Sequence, residues 1–301
     1  MTAYQRNRFI AGQLREAAGL LEQQGANPYR VNAYRKAANT VEEQSQDLGL
    51  LLQSEGFQGL TALPGVGPLI GGAIIEMIET GSWLQLERLR GAHDPESVFR
   101  KVPGVGPKLA KRIIDKAHIE SLEGLETASH DGRLQKIPGF GPRRIVIIRA
   151  ALSEMLGRRR FRPRSEWTEP AVTVLLKVDR EYREQAAAGT LPCIAPRRFN
   201  PKNEAWLPVL HIEHGYWQFT AFYSNTELAH RLGRTRDWVV IYFQADSHLE
   251  GQRTVVTETR GPLTGKRVVR GREEECEEYY NPQLFTPSAE RDSAQPPGKV
   301  A

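Results

Sequence analysis

The sequence predicts an all-α domain followed by a small α+β domain with an antiparallel sheet, and then a disordered C-terminal tail. A six-residue pattern, apolar-Pro-Gly-apolar-Gly-Pro, occurs three times in the first half, and each copy runs into a helical pattern. After residue 165, β-branched and aromatic runs alternate with short helical patterns, which is typical of a mixed fold. Residues 281–301 are rich in Pro, Ser and charged residues, a composition typical of disorder.

Length and composition favour a globular protein of two domains. With 301 residues the chain is longer than one average core requires. No apolar run approaches membrane-spanning length, and the N-terminus lacks the pattern of a signal peptide. The two cysteines, Cys193 and Cys276, form no CxxC pair, which argues against a disulfide framework or a thiolate zinc site. We therefore expect a cytoplasmic protein with no membrane partner.

Apolar residues with helical spacing cover most of residues 1–157, the predicted first domain. In residues 5–24, for example, Ile10, Leu14 and Leu21 fall on one helical face. The further predicted helices span residues 31–43, 48–52, 68–79, 96–101, 107–118, 122–129 and 142–156. No convincing strand pattern occurs before residue 160, so this domain is predicted to be all-α.

We call the three copies of the repeat hairpins one, two and three; they lie at residues 63–68, 102–107 and 137–142. Their glycines permit backbone conformations that other residues avoid, and the final proline suits the first helical turn, where its missing N–H is not needed. The pattern predicts a tight turn that opens a helix and leaves backbone N–H groups free at the positive end of the helix dipole. Such a site suits a phosphate group. The apolar residue between the glycines is expected to point inward.

The repeat resembles the helix-hairpin-helix motif, which binds DNA through its backbone. The resemblance implies that phosphates bind at Gly65, Gly67, Gly104, Gly106, Gly139 and Gly141. Basic residues follow hairpins two and three in the first helical turns, namely Lys108, Lys111, Arg112, Arg143 and Arg144. A cation is unfavourable at this end of the dipole unless an anion neutralises both, so we expect these side chains to bind phosphate as well. The alternatives are a solvated charged face and, for one copy, a purely structural turn.

The net positive charge of the chain lies with the hairpins. Residues 1–160 contain 22 Lys and Arg against 17 Asp and Glu, whereas the remainder contains 19 of each kind. Such an uneven distribution is expected of a half that binds a polyanion. Residues 158–165, which include Arg158, Arg159 and Arg160, are predicted to be a basic linker between the two domains.

A second resemblance rests on residues 27–38, Asn-Pro-Tyr-Arg-Val-Asn-Ala-Tyr-Arg-Lys-Ala-Ala, followed by hairpin one. This segment looks like the N-terminal region of family X DNA polymerases, the polymerase-beta-like repair enzymes, and the resemblance covers residues 5–156. It implies a small domain that holds the 5′-phosphate at a gap in DNA, with Arg30 and Tyr34 at the phosphate-binding positions. A guanidinium and a phenol can both donate hydrogen bonds to phosphate. Ordinary helix packing is an equal alternative for Tyr34.

Two departures from the family argue against its enzyme activities. Ala73 stands where many members place the lysine nucleophile of a sugar-phosphate lyase, and alanine cannot form a Schiff base. Lys36 lies on another predicted helix and is not expected to replace it. After residue 165 the aspartates are dispersed, whereas a polymerase needs paired carboxylates for two metal ions. The sequence therefore predicts neither lyase nor polymerase activity and no cofactor.

Residues 166–280 are predicted to form the α+β domain, to which we assign no family. The predicted strands span residues 172–178, 206–212, 216–223, 238–243, 254–259 and 267–270, and the predicted helices span 179–188, 225–232 and 273–280. The aromatic residues Trp206, Tyr216, Trp217 and Trp238 are expected in its core rather than on a base-stacking surface.

The favoured hypothesis is a sequence-independent DNA-binding protein of DNA repair, whose partner is duplex, gapped or nicked DNA. One alternative is a metal-dependent DNA-end nuclease with His211, His214, Asp246 and His248 as candidate metal ligands. In an extended segment Asp246, His248 and Glu250 would share one face, although exposed polar strand ends are the plainer explanation. A further alternative is that the C-terminal domain binds a protein partner.

Overall fold

A computed structural model describes residues 3–92, 94–157, 169–245 and 248–281. The predicted linker, residues 158–165, and the predicted tail beyond residue 281 lie outside this description. The first half is helical as predicted, and no strand occurs in its described residues. Its helices are α1 Ala3–Gln23, α2 Pro28–Glu43, α3 Leu48–Thr61, α4 Pro68–Thr80, α5 Leu84–Leu89, α6 Pro95–Phe99, α7 Pro107–Ala117, α8 Leu122–His130 and α9 Pro142–Gly157.

The helices of the first half pack around two hydrophobic cores. Helices α1 to α5 enclose one core, and α6 to α9 enclose the other. The apolar residue of each hairpin belongs to one of them: Val66 lies in the first core, and Val105 and Phe140 lie in the second. All three side chains are buried, so their predicted inward orientation is confirmed. Hairpins two and three therefore share one structural unit, and hairpin one belongs to another.

Two helices of the first half differ from the prediction. Helix α3 was expected to end near residue 52 but extends to Thr61. Its backbone leaves the helical conformation at Gly56 (φ 66°), and this break shifts the spacing of the apolar residues on which the prediction was based. Helix α5, only six residues long, is too short to give a recognisable period in the sequence. Both helices contribute residues to the first core.

The second half contains a six-stranded sheet with strand order β1-β2-β3-β4-β5-β6, and every neighbouring pair is antiparallel. Its strands are β1 Cys193–Ile194, β2 Leu207–His214, β3 Trp217–Tyr223, β4 Val239–Ala245, β5 His248–Thr257 and β6 Arg267–Val269. Its helices are α10 Val172–Ala188, α11 Glu227–Arg231 and α12 Glu273–Tyr280. The predicted fold class, a helical region followed by an antiparallel α+β domain, is confirmed.

The prediction of a strand at residues 172–178 is wrong, because these residues form the first turns of α10. Three buried side chains, Val172, Leu175 and Leu176, recur with helical spacing and pack into the core of the second half. Tertiary packing here overrides the strand preference of the β-branched residues. Tyr216 was expected in the core but is 67% exposed at the turn between β2 and β3, whereas Trp217 and Trp238 are buried.

The sheet lies between α10 on one face and the helical half on the other. On the first face, Tyr182 of α10 donates a hydrogen bond from its hydroxyl to the carbonyl of Pro208 at 2.9 Å. The opposite face carries a polar cross-strand row, His211, Thr220, Tyr242 and Gln252. Gln252 accepts a hydrogen bond from the backbone N–H of Glu120 in the helical half at 3.1 Å. The polar face of the sheet thus covers part of the first half, including the segment around α2.

Candidate nucleic-acid interface

Each hairpin begins with the same tight turn. The backbone N–H of Val66 donates to the carbonyl of Leu63 at 3.0 Å, and the equivalent hydrogen bonds of hairpins two and three measure 3.0 and 3.2 Å. The glycine inside each turn has a positive φ, of 80° at Gly65, 86° at Gly104 and 97° at Gly139. Proline followed by such a glycine is the arrangement of a type II turn, so the sequence repeat encodes a local structure that occurs three times.

The second glycine of each hairpin starts a helix. Gly67 and Gly106 precede α4 and α7 in extended conformations, and neither helix start has a side-chain cap. A Cβ atom built at Gly67, Gly106 or Gly141 would meet nothing within 4 Å. The space that a side chain at these glycines would occupy is therefore open at all three helix starts. Uncapped amides at a helix start are suited to an anion.

Hairpins two and three pack against each other reciprocally. A Cβ atom built at Gly104 would lie 3.6 Å from Ile147, on the helix that follows hairpin three. One built at Gly139 would lie 2.9 Å from Leu109, on the helix that follows hairpin two. Arg112 strengthens this contact by donating to the carbonyl of Pro138 at 2.8 Å. The two turns thus lie side by side in a fixed relation.

The five basic residues predicted to bind phosphate fall into three groups. Lys108 and Arg143 are exposed, and within the described residues neither makes a hydrogen bond or an ion pair. Arg112 and Arg144 donate instead to carbonyls of hairpin three. Lys111 binds both carboxylate oxygens of Glu227 in the second half at 2.7 Å. Of these five residues, Lys108 and Arg143 are therefore the most available to a ligand.

Hairpin one receives a cation that its own helix lacks. The Cγ of Lys36 lies 2.8 Å from a Cβ atom built at Gly65, so the stem of this side chain crosses the turn. Thr40, one turn later on α2, donates to the carbonyl of Pro64 at 2.7 Å. The sequence did not predict this contact between Lys36 and hairpin one. Lys36 and Thr40 are four residues apart and lie on one face of α2. This spacing becomes informative only when it is known that this face packs on hairpin one.

Arg30 and Tyr34 lie together on α2, but both are buried, with exposed fractions of 9% and 3%. The hydroxyl of Tyr34 donates to Oε1 of Gln85 at 3.3 Å, and burial raises the pKa of this phenol. Nε of Arg30 is buried and, within the described residues, has no hydrogen-bond partner. The structure thus brings the two predicted phosphate ligands together in a covered position. Their role as ligands stays a prediction.

The side chain over this pair is His211 of β2. Its Nε2 lies 3.0 Å from Oε1 of Gln24, and its Nδ1 lies 3.0 Å from Oγ1 of Thr220. Burial, together with the positive charge of Arg30, lowers the pKa of His211 to about 3. The imidazole is therefore neutral at physiological pH, so it adds no charge beside Arg30.

A buried ion pair joins the two halves close by. Arg88 of α5 binds both carboxylate oxygens of Glu250 on β5, and its guanidinium lies 4.0 Å from the ring centroid of Tyr242. The side chain of Arg88 is 4% exposed and that of Glu250 is 22% exposed. Ala73, at the position of the family's lyase lysine, lines one pocket with Gln85 and this ion pair. This pocket is thus lined by residues from both halves.

The candidate metal ligands do not converge. His211 and His214 lie three residues apart on β2 and point to opposite faces. His211 contacts Gln24 of the helical half, whereas Nε2 of His214 lies 3.0 Å from Oε2 of Glu181 on α10. Asp246 and the side chain of His248 lie outside the described residues. Among the described side chains, no group of three or more His, Cys, Asp and Glu could hold a metal ion. The prediction that His211 and His214 share one metal site is therefore wrong.

Glu120 is a buried acid that the sequence analysis did not single out. It lines a cleft between the two halves, together with Arg198 and Thr226. Burial raises its pKa to about 7, although Ser224 donates a hydrogen bond to its carboxyl group at 3.3 Å. No local pattern marks this residue, because its burial results from the docking of β5 on the segment that follows α7.

Comparisons with known proteins match the helical half. A family described as "Helix-hairpin-helix domain" matches residues 5–83, and one described as "SAM-like Helix-hairpin-helix tandem" matches residues 57–118 and 96–154. The chain is 29% identical over 143 residues, 47% of its length, to the DNA polymerase/3′-5′ exonuclease PolX of Bacillus subtilis (strain 168). The match spans only 24% of that relative. The predicted resemblance to helix-hairpin-helix domains and to a family X polymerase is confirmed for this half. No described helix is long and apolar enough to cross a membrane.

Proposed function

We propose that this chain is a sequence-independent DNA-binding protein of DNA repair, which acts in the cytoplasm and holds the phosphate backbone of duplex DNA through hairpins two and three. The helix-hairpin-helix matches, and the similarity of this half to a protein named as a DNA polymerase, support DNA as the partner. Because the chain spans about a quarter of that relative's length, the relative's enzyme activities are not transferred.

The observation that carries the proposal is the pairing of two exposed turns, each with an open helix start and one available cation. Lys108 follows hairpin two and Arg143 follows hairpin three, each one residue after the proline that begins the helix. Backbone amides, the helix dipole and a cation all favour a phosphate, and none of them distinguishes one base from another. The reciprocal packing of the turns holds both sites in place before DNA binds.

The second half supports a binding role rather than polymerase chemistry. Its two described aspartates, the buried Asp179 and the half-buried Asp237, are both bound by Arg267, each at 2.6 Å. Carboxylates held in such ion pairs are not arranged to share two metal ions. In the first half, Ala73 occupies the position of the lyase nucleophile. We therefore propose that the protein has neither polymerase nor lyase activity. We also propose that Arg30 and Tyr34 bind gapped or nicked ends once their covered position opens.

The test is a binding titration of the full chain on labelled duplexes of two unrelated sequences, followed by fluorescence anisotropy at several salt concentrations. We expect equal affinity for the two sequences and a steep loss of affinity with salt, because released counterions drive phosphate-led binding. An affinity that does not change with salt would contradict the proposal. So would a strong preference for one of the two sequences.

A further inference from the structure

The sheet of the second half covers the start of α2, where Arg30 lies. Asn27, the N-cap residue of α2, donates from its amide nitrogen to Oε2 of Glu213 on β2 at 2.8 Å. His211, two residues earlier on β2, contacts Gln24 just before α2. Two side chains from one face of β2 therefore hold the segment that leads into the predicted phosphate pocket. Arg30, three residues after Asn27, is buried, with 9% of its surface exposed.

The same sheet supplies a carboxylate to the pocket. Glu250 on β5 binds Arg88 with both oxygens, and the two residues line one pocket with Gln85, the hydrogen-bond partner of Tyr34. The charges of Arg30 and Glu250 both act on Tyr34, since Arg30 lowers the pKa of Tyr34 and Glu250 raises it. Glu250 is thus a carboxylate in the pocket beside Gln85, the hydrogen-bond partner of Tyr34.

Arg30 is left incompletely satisfied in this arrangement. Its Nε is buried without a hydrogen-bond partner among the described residues, and a buried donor in this state is unfavourable. The carboxylate of Glu250 has only two oxygens, and both bind Arg88. A phosphate monoester has three terminal oxygens and carries more negative charge, so it could bind Arg30 and Arg88 together.

We propose that Glu250 is an internal competitor for the 5′-phosphate of a DNA strand. In the closed protein its carboxylate neutralises Arg88 beside Arg30 and Tyr34, and the sheet excludes DNA. A strand end binds when its phosphate replaces the carboxylate and β2 and β5 move off the pocket. This proposal rests on the proposed function, since the hairpins must first bring DNA to the protein. The chemistry recognised is a phosphate monoester, and the source we infer is a strand end.

The test compares full-length wild-type protein with Glu250→Gln on two gapped duplexes that differ only in a 5′-phosphate or a 5′-hydroxyl at the gap. The ratio of the two dissociation constants measures recognition of the phosphate. We expect a ratio near one for the wild type and a preference of about tenfold for the phosphate in Glu250→Gln, as for one charge-assisted contact. Adding Arg30→Gln to Glu250→Gln should lower this preference, because Arg88 is then the only one of the two arginines that can contact the phosphate. An unchanged ratio in folded Glu250→Gln, or a tenfold preference in the wild type, would overturn the proposal.

A matched control is Glu227→Gln, which removes the carboxylate from the other ion pair described above between the halves, Lys111–Glu227. It should leave the ratio unchanged, because Glu227 does not line the pocket of Arg88 and Glu250. An equal increase of the phosphate preference in Glu227→Gln and Glu250→Gln would show that any loosening of the contact between the two halves has this effect, and it would overturn the proposal. If Glu250→Gln lacks a cooperative melting transition because Arg88 is unpaired, the double variant with Arg88→Gln avoids the buried orphan charge. Because Arg88 is then lost as a phosphate ligand, its phosphate preference should be smaller and should come from Arg30 alone, and a ratio of one in this folded variant would overturn the proposal.

Two further outcomes separate the hypotheses. If wild-type protein binds neither duplex, the proposed function fails. If it binds both in a salt-dependent way and no variant changes the ratio, only the role of Glu250 fails. Inorganic phosphate at matched ionic strength identifies the source of the phosphate. A phosphate preference of Glu250→Gln that survives this competitor supports a strand end, and its complete loss would overturn that choice.

Discussion

Replacing Lys108 and Arg143 by Gln should weaken DNA binding equally for all sequences and make it less dependent on salt. These side chains are exposed and, among the described residues, are not engaged by protein groups, so each is available to one phosphate. Each phosphate contact contributes about 0.9 to the slope of log affinity against log salt on duplex DNA. Losing two contacts should lower the magnitude of this slope by about 1.8.

The slope converts into a measurable change of affinity. Over a fourfold increase in salt, a slope difference of about 1.8 changes the ratio of wild-type to variant affinity by about twelvefold. Anisotropy titrations at four or more salt concentrations measure it. The control is Lys202→Gln, which removes an exposed lysine of the second half that lies away from the hairpins in the sequence and forms only a 3.9 Å ion pair with Glu204. Equal slopes for the wild type and the double variant would refute the assignment of phosphate contacts to hairpins two and three.

The remaining predictions concern the turns and two buried titratable groups. Gly104→Ala should lower the free energy of unfolding by about 1 kcal/mol, because φ is 86° at this residue. Gly106→Ala should leave the free energy of unfolding unchanged, because φ is −86° there and a Cβ atom would meet open space. Thermal melting of the two variants tests this difference. His211 has a folded pKa of about 3, below its value of 6.5 in the unfolded chain, so the unfolded state binds more protons in acid and stability falls as pH drops below about 6.5. His211→Gln should reduce this fall, by about 1.4 kcal/mol per pH unit between pH 6 and 4 in urea unfolding, and an unchanged pH dependence would contradict the burial of a neutral imidazole. Glu120 has the opposite sign: its folded pKa of about 7 lies above 4.5, so its ionisation destabilises the fold as pH rises toward 7, and Glu120→Gln should be more stabilising at pH 8 than at pH 5.

The hairpins could be predicted from the sequence because their structure is local. Proline at one position and a glycine with positive φ at the next specify the turn, and the following Gly-Pro pair specifies the start of the helix, whatever the surroundings. The apolar residue between the glycines points inward, because burial in the adjacent core removes its side chain from water. Three matching copies made this interpretation specific.

The predictions that failed depended on contacts between distant segments. The β-branched start of α10 is helical because it packs on the sheet, and the first part of β5 is a strand although it is polar, because Glu250 and Gln252 bind Arg88 and the segment after α7. The partner of Lys111 is equally distant, because this lysine is paired with Glu227, more than one hundred residues later in the chain, and its binding of phosphate stays a prediction. The pattern of neighbouring residues in the sequence does not predict partners that lie so far apart in the chain.

The sequence by itself determined the three turns, the helical half, its charge and its similarity to helix-hairpin-helix domains. Only the tertiary structure decided which cations are available and that Arg30 and Tyr34 lie beneath the sheet. The physical reason is the range of the interactions. Backbone conformation and dipoles are set by adjacent residues, whereas burial and ion pairing depend on segments that meet only when the chain has folded.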